Sequence, residues 1–594
     1  MHRSNGLASL WLDPVMEKED MFSILSLMKI TKNETDQAQP LLTLSFTENS
    51  SRLSKFRIGD VTVLYPENEE GPSPLSNQIF KCTILELNTE KVVVRLRARQ
   101  KNFDLFRKYD YWNLESDVLD SGFNHQFYGL FDFMSADESY RRRMLCIDPP
   151  PLPNEEIHYE NAEMTAEQVE VMQKAIAAKD YYLLWGPPGT GKTSVMIKNL
   201  VEYYHKSTSK NILLLAYTNR AVDEICSAIH ELLNGKYLRI GSRHSTGKKY
   251  VGQLLSTKTE NIETRQEILD LFNEAQITVS TVSSFQGKRE LKKLKKYDLA
   301  IVDEASQLLE PMLVGLLSRF DKAILIGDHK QLPAVVTQSR VQSLVDDEAL
   351  ESLGVKDRRM SLFERMYSNA VNKEWKWAYG ALSHQGRMHQ DILTFISPEF
   401  YENSLKVLPK VDRLINKPML KSRSERQELL IQNRLIFLDA PVDPSMTRKT
   451  NLIEAQLVER LVYEWEDIYT YNKIELQPDS IGVITPFRSQ IATIKSQEYF
   501  KKPNKVTVDT VERYQGGSRN QIIISLAINE FSLLKSITNV SEEGIDRKLN
   551  VALTRGKENI IIIGNKRILS KNPTYQRLID YCKCLSLQEF NSLT

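Results

Sequence analysis

Between Phe56 and Leu64 apolar and polar residues alternate. After a Gly/Pro/Ser loop at Gly71–Ser76 the alternation returns over Phe80–Leu87 and Lys91–Arg97. A period of two sends successive side chains to opposite faces, so the spacing predicts short strands joined by turns, as in a small β-barrel. The first 50 residues mix short apolar and polar pieces without a readable period. Pro149-Pro150-Pro151 reads as a linker, and beyond it the texture changes. Apolar runs at Tyr182–Trp185, Ile212–Ala216, Ile277–Val279, Leu299–Val302 and Ala323–Ile326 are separated by helix-like segments. A second series, from about Leu382 to Asn565, has runs at Leu435–Leu438, Ile481–Ile484, Gln521–Ser525 and Ile560–Ile563. Strands buried on both faces between helices are the pattern of a parallel sheet. The expected fold class is α/β, two such domains in tandem behind a barrel. The domains read as an N-terminal segment at 1–54, a barrel with a helical stalk at 55–150, and α/β domains at 151–360 and 361–594.

Chemistry enters at the end of the first apolar run. Gly186-Pro187-Pro188-Gly189-Thr190-Gly191-Lys192-Thr193, followed by Ser194, fits G-x-x-x-x-G-K-[ST]. Glycines let backbone N–H groups curl around a phosphate, Lys192 reaches the β/γ oxygens, and Thr193 holds Mg²⁺. The run Leu299–Val302 ends in Asp303-Glu304, which places Asp303 beside that metal and Glu304 where it can orient or deprotonate water. Ala323–Ile326 leads to Gly327-Asp328-His329-Lys330-Gln331, whose Gln331 can sense the γ-phosphate; Asp328 reads equally as a helix cap. Arg387 and Arg555 are candidate arginine fingers, with surface ion pairs as the plainer reading.

Charge and composition narrow the partners. Lys+Arg number 78 and Asp+Glu 77, a net charge of +1, so bulk polycationic coating of nucleic acid is excluded and any such binding needs a local groove. Arg95, Arg97, Arg99 and Lys101 share one parity and would line one face, a solvated strand or a nucleic-acid contact. The five scattered cysteines contain no CxxC, which argues against a disulfide scaffold, a four-cysteine zinc site or an iron–sulfur cluster. No apolar run is long enough for a membrane span. Gly6–Leu12 lacks a cleavage site, so the expected location is cytoplasmic, with the nucleus open for a eukaryotic chain.

Taken in order, the motifs resemble superfamily 1 helicases, in the branch of the nonsense-mediated-decay helicase, senataxin and the immunoglobulin-μ-binding helicase. Beside the segments above, the resemblance rests on Gln168, Ala216-Tyr217-Thr218-Asn219, Val279-Ser280-Thr281-Val282-Ser283 and Ser361–Met366. It continues through Gln385-Gly386-Arg387-Met388-His389, Gly482–Thr485, Val508-Asp509-Thr510, Gln515-Gly516 and Leu549–Arg555. It implies two RecA-like domains that close on ATP with Mg²⁺, a single strand of DNA or RNA lying across both, and 5′→3′ movement. It also implies an adenine-reading role for Gln168, nucleotide contact at Gly516, and γ-phosphate contact by Arg387 and Arg555. Thr218, Asn219, Thr281, Ser283, Thr485 and Thr510 would touch the strand's phosphates.

Two positions depart from the family. The tyrosine that stacks on adenine is replaced by Gly386, and Gln-Gly-Arg-Glu reads Gln515-Gly516-Gly517-Ser518, without the carboxylate expected near ribose and phosphates. The lysine-rich stretch Lys288–Lys296 is expected as the solvated face of a connecting helix rather than a DNA patch. Trp185, Trp375 and Trp377 are expected in the core or at a domain contact. The reading is an ATP-dependent nucleic-acid helicase or translocase. The alternatives are a nucleic-acid-gated ATPase switch or remodeller in a larger complex, and a binding module without catalysis. Protein partners, or a fused or companion nuclease, fit the resemblance, although 1–150 carries no nuclease-like carboxylate–lysine cluster.

Overall fold

The computed structural model describes residues 14–593 apart from 21–22, 49, 51–53, 55, 57, 68–76, 89, 118–121, 289, 337, 339, 410, 417–419 and 445–448. Gly6–Leu12 and the Gly71–Ser76 loop lie outside the described residues. The chain forms two compact units, Met1–Ser121 with Phe487–Lys501, and Gly122–Pro486 with Lys502–Thr594.

The first unit contains a closed barrel of β1 (Ile24–Glu34), β2 (Leu41–Ser45), β3 (Val61–Pro66), β4 (Phe80–Leu87), β5 (Lys91–Leu96) and β6 (Trp112–Ser116), in the order β1-β2-β5-β4-β3-β6. Phe80, Phe106 and Trp112 pack tilted rings at its centre. The barrel therefore takes its first two strands from residues assigned by sequence to a separate 1–54 segment. Ile24–Glu34 hides its period because its pairing slips with β2 and with β6, and its outer half is Lys, Thr, Asn and Glu. Arg95 stands on the outward parity of β5, whereas Arg97, Arg99 and Lys101 lie exposed beyond the strand's end.

The second unit holds two parallel sheets. The first contains β7 (Tyr181–Trp185), β8 (Ile212–Ala216), β9 (Leu238–Ile240), β10 (Ile277–Thr281), β11 (Leu299–Val302), β12 (Lys322–Gly327) and β13 (Tyr379–Ala381), in the order β13-β7-β12-β11-β8-β10-β9. Neighbouring residues feed opposite cores. Leu184, Leu214, Ile301 and Ile324 face one layer of helices, and Leu183, Leu213, Ala300 and Leu325 face the other. The helix Leu362–Asn372 and β13 belong to this sheet's layers, so the first domain runs past the expected boundary at 360 to about Ala381. A short pair, β14 (His384–Gln385) with β15 (Lys406–Val407), follows. The second sheet contains β16 (Leu435–Asp439), β17 (Ile481–Ile484), β18 (Thr507–Asp509), β19 (Arg519–Ser525), β20 (Gly556–Gly564) and β21 (Lys583–Ser586), in the order β18-β17-β19-β20-β16-β21. Among the described residues no helix is long and apolar enough to cross a membrane.

The Lys288–Lys296 stretch differs from expectation. Its helix is a single turn, Leu291–Leu294, and Lys295 is buried with its ammonium donating to the Phe272 carbonyl at 2.7 Å. This lysine is structural and not part of a solvated face. Trp375 is buried in the first domain's core, and the Trp377 indole donates to the Pro150 carbonyl at 3.1 Å.

The helix Leu452–Tyr471 lays Glu454 against the end of β19. Its Oε2 accepts from the Ser525 hydroxyl at 2.8 Å and the Ala527 amide at 2.9 Å, and burial pushes the carboxyl from 4.5 up to about 7. Between those values the folded carboxyl keeps a proton that the unfolded chain has released. Stability is therefore fully present below about pH 4.5 and is lost as pH rises through about 7, by roughly 3 kcal/mol. Glu454→Gln keeps an acceptor oxygen and is expected to flatten that pH dependence. Urea midpoints at pH 5 and pH 8 check it, and a variant that loses stability between them as the wild type does would count against the assignment.

Candidate functional site

The site begins where β7 ends. The Gly186 amide donates to the Gly327 carbonyl at 3.0 Å, tying the loop to the neighbouring strand. Gly189 and Gly191 hold φ of +78° and +87°, a region that glycine enters without a Cβ clash. At Gly186 a Cβ would stand 2.3 Å from Lys192 Cγ, so the lysine's own path forbids a side chain there. The Lys192 ammonium donates back to the Gly186 and Pro187 carbonyls, inside the loop. The following turn, Lys192–Ile197, is wound as a π-helix, with the Met196 amide reaching the Gly191 carbonyl at 2.9 Å before the α-helix Lys198–Ser207. Gln168 caps its helix through Thr165 and donates to the Thr190 carbonyl at 3.2 Å. Its carboxamide ties the loop to the start of that helix, the oxygen accepting from the Thr165 amide at 3.0 Å.

Two carboxylates follow β11. Thr193 Oγ1 donates to Asp303 Oδ2 at 2.7 Å, a hydroxyl and a carboxylate of the kind a hard divalent cation takes. Burial, and then Glu304, push the Asp303 carboxyl up to about 6. Glu304 is held at φ +52°, ψ +38°, a strained backbone costing on the order of 1–3 kcal/mol. Its Oε2 accepts from Gln307 Nε2 at 2.9 Å.

Past β12, Asp328 is fully buried and accepts from Trp185 Nε1 (2.9 Å), the Tyr401 hydroxyl (2.9 Å) and Gln331 Nε2 (2.7 Å). It is the centre of a network joining two domains. Asn550 of the second domain donates to the Tyr401 hydroxyl at 2.9 Å and to the Lys330 carbonyl at 2.7 Å. Gln331 Oε1 in turn accepts from Arg555 Nη2 at 3.0 Å.

Arg387 and Arg555 close the far wall. Arg555 donates to the carbonyls of Val551 (3.1 Å) and Gly517 (3.3 Å), and Arg387 to that of Thr554 (3.3 Å). Burial, followed by Arg387, pulls Arg555 down to about 9, and burial lowers Arg387 as well. Two desolvated guanidinium groups side by side are costly unless an anion joins them. The resulting cleft, about 1260 Å³, is lined by the loop, Ser194, Glu304, Gln331, Arg387, Gly516 and Arg555.

The phosphate-contact candidates sit at the carboxyl ends of parallel strands, the edge where ligands bind open α/β sheets. Thr218 and Thr281 cap the next helices, accepting from the amides of Ala221 and Ser284; Asn219 opens its helix and Ser283 is exposed. Thr510 is nearly buried. Thr485 is fully buried with an unpartnered hydroxyl, so the structure does not bring it to a surface. A further cavity of about 990 Å³ is lined by Trp185, Thr218, His329, Lys330, Glu512 and Gln515, among others. No group of three or more metal-ligating side chains occurs among the described residues.

Sequence reasoning missed five participants. Arg413 donates to the carbonyls of Gly386 and Arg387 at the cleft's rim. Arg220 and Glu224 form an i,i+4 pair (3.4 Å) on the helix after Thr218, and Glu224 lines the cleft. Tyr401 and Asn550 complete the Asp328 network. The Arg220–Glu224 spacing was visible but reads as an ordinary surface pair; Asn550 lay inside the Leu549–Arg555 motif without a role assigned to it, and Arg413 and Tyr401 carried no local signal.

A glycine-rich loop with a lysine, a Thr–Asp pair, a strained glutamate and two arginines from the second domain define a P-loop NTPase with tandem RecA-like domains. A family described as an AAA domain matches residues 163–261 and 240–339, and a second of the same description matches 358–567. Among curated proteins, the DNA replication ATP-dependent helicase/nuclease DNA2 of Xenopus laevis is 28% identical over 442 residues, covering 69% of this chain and 38% of that protein. Its counterpart JHS1 of Arabidopsis thaliana is 24% identical over 494 residues, covering 80% and 34%. The uncharacterised ATP-dependent helicase MJ0104 of Methanocaldococcus jannaschii is 24% identical over 635 residues, covering 90% and 87%. The chain thus spans less than two fifths of the DNA2 and JHS1 proteins. Among solved structures, the arterivirus nonstructural protein 10 helicase covers 92% of this chain and 80% of its own at 11% identity and a TM-score of 0.35, too distant to add to the fold. The chain belongs to the superfamily 1 helicases, in the branch of the nonsense-mediated-decay helicase.

Proposed function

We propose that the protein is an ATP-driven translocase or helicase that moves 5′→3′ on single-stranded DNA or RNA. The observation that carries the reading is the Gln331–Arg555 hydrogen bond, which joins the end of β12 in the first domain to the arginine of the second across the cleft. Lys192 neutralises the β/γ-phosphates, Glu304 orients the attacking water, and Arg387 and Arg555 stabilise charge on the transferring phosphoryl group. Thr193 and Asp303 would hold Mg²⁺, which would supply positive charge against the phosphates. Thr218, Asn219, Thr281, Ser283 and Thr510 would meet a strand's phosphates, with contacts that are sequence-tolerant. The relatives named as ATP-dependent helicases support this reading.

The test is steady-state ATP turnover with no polymer, single-stranded DNA or single-stranded RNA, alongside unwinding of a duplex with a 5′ tail. Stimulation by one polymer is expected, with unwinding of the tailed duplex. Turnover indifferent to both polymers would overturn the motor reading. Stimulation without unwinding would favour the gated-switch reading, to which the missing tyrosine at Gly386 lends weight.

A further inference from the structure

With its phosphates seated in a glycine-rich loop, a nucleotide carries its base outward, and the flat π-face of that base is covered best by a flat partner. The cleft supplies no ring for this. Among the described residues that line it there is no phenylalanine, tyrosine, tryptophan or histidine, and its flat cations are the guanidinium groups of Arg387, Arg413 and Arg555. Two of these stand on the phosphate side. A Cβ on Gly189 of the loop would meet the Arg387 Cβ at 2.7 Å, and Arg555 is buried against Gln331. Arg413 is different. It sits on the short turn Asp412–Leu414 at the rim, and its side chain is 49% exposed. Its Nη1 donates to the Arg387 carbonyl at 3.2 Å and its Nη2 to the Gly386 carbonyl, with a Glu558 carboxylate oxygen 3.9 Å from Nη1. The N–H bonds of a guanidinium lie in its plane, so these two carbonyls fix its edge and leave its faces clear. Gly386 puts no side chain beside it; a Cβ there would meet only Leu408 Cδ2, at 3.6 Å. The Gly386 amide donates to the Gly189 carbonyl at 2.9 Å, which ties the Arg413 guanidinium to the phosphate loop through one residue.

We infer that the Arg413 guanidinium is the platform on which the base of the bound nucleotide stacks. The inference rests on the nucleotide-binding reading above. A planar cation already held by two carbonyls gives up little freedom when a base settles on it, and the ring's π-cloud is attracted to its charge. The contact addresses the face of the base and not its hydrogen-bonding edge, so it holds adenine and guanine alike.

Calorimetric titration with non-hydrolysable ATP and GTP analogues, and with inorganic tripolyphosphate, which has no base, tests it. Arg413→Ala is expected to raise Kd for both nucleotide analogues about threefold to tenfold, and to leave that of tripolyphosphate within about twofold of wild type. Arg413→Lys keeps the charge and loses the plane, so it should match the alanine variant. Should the alanine variant not fold, the lysine variant, which can still donate to a backbone carbonyl, decides alone. Tripolyphosphate weakened as much as the nucleotides would mean that the side chain serves the phosphates or the Gly386–Arg387 backbone, and would overturn the inference. Affinity restored by lysine, a loss confined to one base, or unchanged nucleotide affinity would overturn it equally. Failure of the wild type to bind any of the three probes, with Lys192→Ala indistinguishable from it, would instead sink the nucleotide reading itself.

Discussion

Arg555→Ala is expected to lower ATP turnover about 10³-fold or more, the scale on which arginine fingers act. The side chain is buried, its charge is pulled down to about 9, and its fork is shared among Gln331, Val551, Gly517 and Thr554. It is therefore held in place before any phosphate arrives, at an electrostatic cost that phosphoryl charge repays. Arg555→Lys keeps a charge but not the planar fork, so it should recover little of the loss. Single-turnover ATP cleavage at saturating nucleotide separates this from weaker binding. A lysine variant within a few-fold of wild type would mean that the arginine acts only as bulk positive charge.

The second large effect is expected at Glu304. Glu304→Gln would remove the proposed base yet keep an oxygen for the bond with Gln307 Nε2, so turnover should fall about 10²–10⁴-fold while nucleotide affinity is retained. Because the position is held at positive φ, Glu304→Gly offers a useful contrast: it relieves the strain and removes the carboxyl together. If strain alone mattered, the glycine variant would be the more active of the two. The expectation is that both are equally silent, checked by phosphate release with and without polymer.

Most strands of both sheets were legible because buried parallel strands must be uninterrupted apolar runs, and Ile212–Ala216, Leu299–Val302 and Ile481–Ile484 appear with their expected limits. The phosphate loop was legible for a related reason, since its glycines answer to backbone geometry that no other residue meets as cheaply. What stayed hidden depended on tertiary neighbours. β1 carries Lys, Thr and Asn along a strand that two pairing slips distort. β13 is three half-buried residues that join the first sheet only by lying beside β7. Glu224 acquires meaning from Gly516 of the other domain, and Arg413 from the carbonyls of Gly386 and Arg387 in an earlier loop, and nothing in their local sequence encodes that. Lys295, read as part of a charged run, is defined by two carbonyls of another helix's end.

The passage from one sheet to the next has a mechanical consequence. The chain leaves β13 at Ala381, the Leu382 amide bonds the Trp185 carbonyl at 2.9 Å, and the Gly386 amide bonds the Gly189 carbonyl at 2.9 Å. The passage between the two domains is thus clamped to the phosphate loop itself. In a lever with its fulcrum at the point of load, a tilt of a few degrees sweeps the far edge of the second sheet through a much larger arc. In the motor proposed above, a sub-ångström resettling of the loop on a γ-phosphate would be geared up, without an intervening rod or belt, into a stride at the opposite rim.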